Sequence, residues 1–88
     1  MDYSNYFGGV AEHVKSLYFL RGADAVCLWI NRIGSRSLPN GLVQELREYD
    51  DSDLSGESLS INIIGQDHMT IRLSSDGHLM VWEVKICS

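Results

Sequence analysis

In the stretch GLVQELREYDDSDLSGESLSINII, Gly41 to Ile64, the spacing of the apolar residues changes partway along. Before the acidic run, Leu42, Leu46 and Tyr49 recur at intervals of three and four, the spacing of one face of a helix. That pattern predicts a third helix, with Ser37 or Asn40 as its cap and Pro39 tolerated in its first turn, although Gly41 works against it. After Ser58 the period falls to two. Leu59, Ile61 and Ile63 alternate with Ser58, Ser60 and Asn62, which is the pattern of a strand with one face buried.

The same period continues to the C-terminus. Met69, Ile71 and Leu73 alternate with Thr70 and Arg72. Met80, Trp82, Val84 and Ile86 alternate with Val81, Glu83 and Lys85. Gly65-Gln66-Asp67 and Ser74-Ser75-Asp76-Gly77 supply the turns, and Asp-Gly is the stronger hairpin signal. Three such strands read as an antiparallel meander wet on one side.

Toward the N-terminus the period is helical. Phe7, Val10, Val14, Leu17 and Tyr18 form one stripe, with Gly22 as its stop and Gly8-Gly9 as a loose lead-in. Val26, Trp29, Ile30 and Ile33 form a second stripe, widened by Ala25, Cys27 and Leu28, so this helix is expected to be the most buried. The expected fold is therefore α+β: three N-terminal helices packed on one face of a C-terminal three-stranded antiparallel β-meander. Residues 1–88 are read as a single domain. At 88 residues, a chain buries roughly 60% of its unfolded surface, enough for one modest core.

The composition, 44% hydrophobic and 22% charged, is that of a globular protein. No apolar run approaches the ~18 residues of a membrane span, and no export signal is visible. The expected compartment is the cytosol, with Cys27 and Cys87 as free thiols. Cys27, within an apolar run, is expected to pack in the core.

The charge is uneven. Glu45, Glu48, Asp50, Asp51, Asp53 and Glu57 stand against Arg47 alone, so this window carries the chain's whole net charge of −5. Carboxylates at a helix C-terminus meet the negative end of its dipole, and clustered like charges repel. An arrangement that costs stability is a candidate contact surface. A calcium loop fits poorly. Counting from Asp51, with Asp53 third and Gly56 sixth, the twelfth position is Asn62 rather than a bidentate glutamate. No metal site and no cofactor is expected.

Other constellations are weak. His13 belongs to the first helix, and His68 and His78 flank turns where they are read as facing each other across neighbouring strands. No pair has metal-ligand spacing. No nucleophile motif or phosphate-binding glycine pattern is present, so the chain is read as a non-enzyme. Trp29 and Trp82 are assigned to the core. Tyr3, Tyr6 and Phe7 are read as packing on the third helix or lying on a contact surface. Arg32 and Arg36 complement the C-terminal dipole of the second helix.

Two function classes follow. One is a small acidic protein-binding module, an inhibitor or immunity-type protein that neutralises a basic partner such as a nuclease toxin. Its contact residues would be Glu45, Glu48, Tyr49, Asp50, Asp51, Asp53 and Glu57. The alternative is a winged-helix-like DNA-binding regulator whose third helix would enter the major groove. The acids on that helix would repel phosphates, so no nucleic-acid partner is expected. The last strand is read as an exposed edge, which leaves a homodimer by sheet extension, or a self-associating structural module, open.

Overall fold

The structure, a computed structural model, describes residues 4–33, 42–50, 56–65 and 67–86. It is α+β, with two helices, α1 (Ser4–Arg21) and α2 (Ala23–Ile33), followed by four strands. The strands are β1 (Leu42–Asp50), β2 (Glu57–Ile64), β3 (His68–Ser75) and β4 (His78–Ile86), and every pairing among them is antiparallel. Among the described residues, no helix is long and apolar enough to cross a membrane.

The helical stripes are largely as their spacing predicts. Phe7 and Val14 are fully buried, with Val10, Leu17 and Tyr18 packed partly buried beside them. Helix α1 stops at Gly22, whose φ of 86° is a left-handed conformation that suits glycine at a helix end. Its amide donates to the Tyr18 carbonyl at 2.9 Å, and α2 begins at the next residue. Gly8 and Gly9, expected as a lead-in, lie inside α1. On α2, Val26 and Ile30 are buried and Trp29 is partly buried, but Leu28 is 69% exposed, so the apolar face is narrower than expected.

The two C-terminal hairpins also follow their patterns. Met69, Ile71 and Leu73 of β3 stand opposite Val84, Trp82 and Met80 of β4, and opposite Ile63, Ile61 and Leu59 of β2. Directly opposed residues share a face, so these positions form the side that meets the helices. Buried residues of β3 and β4 join Phe7, Val14, Val26 and Ile30 in one core. The β3–β4 turn has Asp76 at φ 47° and Gly77 at φ 86°, the two positive φ values of the tight turn that Asp-Gly favours.

The expected third helix is instead β1. It pairs with β4 along its whole length, from Leu42 opposite Ile86 to Asp50 opposite His78. Leu, Gln, Glu and Arg are good helix formers, so local propensity points the wrong way here, and pairing to a distant strand overrides it. The period was misleading for a second reason. The helix-facing side of β1 is left exposed at Leu46 and Glu48, so burial does not impose a clean alternation. Leu46 and Tyr49, expected on one stripe, fall on opposite faces. The proposed caps Ser37 and Asn40, with Pro39 and Arg36, lie outside the described residues, as does Tyr3.

The sheet order is β1-β4-β3-β2. The last strand, expected as an edge, is paired on both sides, and the edges are β1 and β2. The winged-helix reading loses the helix it would place in the major groove.

Candidate functional site

Strand alternation separates the expected acidic residues. Glu45 lies on the open, helix-free face with Arg47 and Tyr49, whereas Glu48 and Asp50 lie on the helix side. Glu57 starts β2, on the helix side and at the far edge of the sheet. Asp51 and Asp53 lie outside the described residues.

Three of these carboxylates are engaged within the chain. Glu57 Oε1 accepts the Ala23 amide at 3.0 Å, satisfying one of the unpaired N–H groups at the start of α2. A carboxylate there also meets the positive end of the helix dipole. Glu45 pairs with Arg47 at 3.3 Å and with Lys85 at 3.8 Å. Arg47 is held more firmly protonated than usual, first by its hydrogen bond to Tyr49 and then by Glu45 and Glu83. Asp50 lies 2.9 Å from His78 Nδ1 across the β1–β4 pair, and both are exposed.

Glu48 has a different setting. It lines a cleft of about 210 Å³ between the start of α2 and the β1–β4 pair. Asp24 and Cys27 of α2 form one wall, and Tyr49, His78 and Met80 contribute from the strands. The Cys27 thiol donates to the Met80 thioether at 3.6 Å. Burial pushes the Cys27 thiol above its ordinary pKa, and Asp24 and then Glu48 add to the rise, outweighing a backbone hydrogen bond that lowers it. Both carboxylates are thus close enough to be felt at the sulfur. The cleft has negative walls beside sulfur and aromatic surface, which suits the charged head and apolar stem of a lysine or arginine.

Asp24 did not figure in the sequence reading of the acidic surface. A carboxylate in the first turn of a helix was its only local signal, and nothing in the sequence links it to Glu48 twenty-four positions on. The histidines do not meet. His68 pairs with Lys85 on the open face, and His78 pairs with Ser75 at the opposite end of the same ladder. His13 lies tilted against Trp29, with ring centroids 4.4 Å apart and planes 39° from parallel. Trp82 is fully buried, and its indole Nε1 has no hydrogen-bond partner among the described residues. Tyr6 packs edge-on against Phe7, which belongs to the core.

The open face of the sheet forms a broader concavity of about 550 Å³, floored by Val81 and rimmed by Arg47, Arg72, His68 and Tyr49. Its lining carries both signs of charge, with Glu83 beside the two arginines, and Arg47 is also paired with Glu45. In the α2–β1 cleft the charged lining residues besides His78 are the carboxylates Asp24 and Glu48. No protein-family model, curated protein or solved structure matches this chain.

Proposed function

We propose that the chain is a small protein-binding module, of the inhibitor or immunity type, that takes a lysine or arginine of a basic partner into the α2–β1 cleft. The observation that carries this reading is the placement of Asp24 and Glu48 around one concavity beside Met80 and Tyr49. Exposed Leu46 and Leu28, on β1 and α2, supply apolar surface on the elements that bound the cleft. Asp50 extends the negative surface along β1, and Asp51 and Asp53 follow it in the chain. Glu45 and Glu57 contribute to the overall field, but their carboxylates already serve this chain, and Asp50 lies against His78. A basic nuclease toxin has the charge such a surface would recognise, and complementary charge would speed its capture.

The test is a pull-down with the tagged chain at low and high salt, with mass spectrometry of the eluate, alongside Asp24→Asn/Glu48→Gln. The expected result is a stoichiometric basic protein that is lost at high salt and at least tenfold weaker with the double variant. Recovery of nucleic acid, of no partner, or of a partner indifferent to the double variant would overturn the reading.

A further inference from the structure

The two edges of the sheet are defended differently. β1 carries Glu45, Arg47, Glu48 and Asp50 within nine residues. β2 carries no charged residue from Ser58 to Ile64, and Glu57 at its start is bonded to the α2 amide. A free strand edge presents a row of unpaired N–H and C=O groups, and charged side chains are a common guard against another strand joining it. The β2 edge lacks that guard and also presents Ile63 and Ile64, 41% and 51% exposed.

We propose that β2 pairs antiparallel with β2 of a second copy, joining two four-stranded sheets into one of eight strands. The occupant is argued from symmetry and charge. In an antiparallel ladder, directly opposed residues point to the same face. A two-fold axis normal to the sheet and centred on Ile61 sets Ile61 opposite its own copy, Leu59 opposite Ile63, Ser60 opposite Asn62 and Ser58 opposite Ile64. The first two pairs are apolar and lie on the helix side, extending the row that already packs on the core. The other two lie on the open face. No like charges meet along the seam.

The charge distribution also selects this edge over the other. Pairing through β1 would lay two strands of net negative charge, each carrying Glu45, Arg47, Glu48 and Asp50, one strand spacing of about 4.8 Å apart. Pairing through β2 places the two β1 strands seven spacings apart, roughly 33 Å. That is several times the screening length of about 8 Å at physiological salt. The two acidic clefts then lie at opposite ends of the assembly, free to bind.

Sedimentation velocity from micromolar to millimolar concentration tests this. The chain of 9.9 kDa is expected to run at twice that mass. The dimer should persist at high salt, because no ion pair holds the seam, whereas capture of a basic partner should not. The open-face variant Ser60→Lys/Asn62→Lys places four lysines around the axis and is expected to be monomeric with an unchanged far-UV spectrum. Glu48→Gln should leave the dimer intact. Amide exchange in the unaltered chain gives an independent reading, with the outward amides of β2 protected and those of β1 fast. A monomer at all concentrations, a dimer that survives the two lysines, or equal exchange at both edges would overturn the proposal. None of these results bears on the cleft.

Discussion

β1 and β2 close the same sheet at opposite edges, yet they follow different rules. In β2, Leu59 and Ile61 lie partly buried against the core while Ser58, Ser60 and Asn62 face solvent. Its alternation is legible because the helix layer reaches it. In β1 no described side chain is fully buried, and Leu46 remains 37% exposed although it stands opposite fully buried Trp82. Binary patterning records burial rather than strand pairing. A strand held mainly by its ladder hydrogen bonds therefore need not announce itself.

The sharpest way to test that contrast runs along one row of the sheet, in which Ile61, Ile71, Trp82 and Leu46 are neighbours. Trp82→Ala empties the centre of the core and is expected to cost ~3–5 kcal/mol, a loss large enough to unfold a domain of this size. Leu46→Ala, one strand further out, is expected to cost under ~1 kcal/mol, as for a side chain far from full burial. Urea denaturation of both variants checks the pair, and equal costs would mean that the helix layer covers β1 after all.

A smaller effect separates the two ends of the acidic segment. Glu57→Ala removes the acceptor for the Ala23 amide and is expected to cost ~1 kcal/mol, in the range of a lost helix cap. Glu48→Ala, with no such bond, is expected to leave the denaturation midpoint unmoved. Weaker still is Glu45→Gln, since exposed ion pairs of the Glu45–Arg47 kind contribute little to stability. Its thermal midpoint should match the parent's within error.

The last prediction concerns reactivity. The raised pKa of Cys27 keeps it a neutral thiol to higher pH than a free cysteine, and the thiolate is the nucleophile. In a Cys87→Ser background, iodoacetamide labelling of Cys27 should therefore rise only at more alkaline pH than for a cysteine in a short peptide. Asp24→Asn/Glu48→Gln should move that rise to lower pH, because removing nearby negative charge favours the thiolate. An unmoved profile would mean that the two carboxylates do not converge on the sulfur, and the cleft would lose its electrostatic argument.

Two of the three expected helices and all three expected strands were legible, each from apolar residues repeating at one period against the core. Gly22 and Asp76-Gly77 were legible because positive φ values fall to glycine, and to aspartate in tight turns. The acidic bias of residues 45–57 was also plain in the sequence, but its geometry was not. A helix would have spread Glu45, Glu48 and Asp50 around one cylinder. A strand sends Glu45 to one face and Glu48 and Asp50 to the other, and it brings Glu48 to a cleft shared with Asp24.

The sequence by itself thus determined the α+β class, the inner face of β2, β3 and β4, the turns that join them and the concentration of negative charge, because each is a local pattern of polarity or backbone freedom. Only the tertiary structure decided that Leu42–Asp50 is an edge strand, that Glu57 serves the start of α2, and that Asp24 and Glu48 converge. Those outcomes depend on which distant backbone a segment pairs with, and no window of neighbouring residues carries that information.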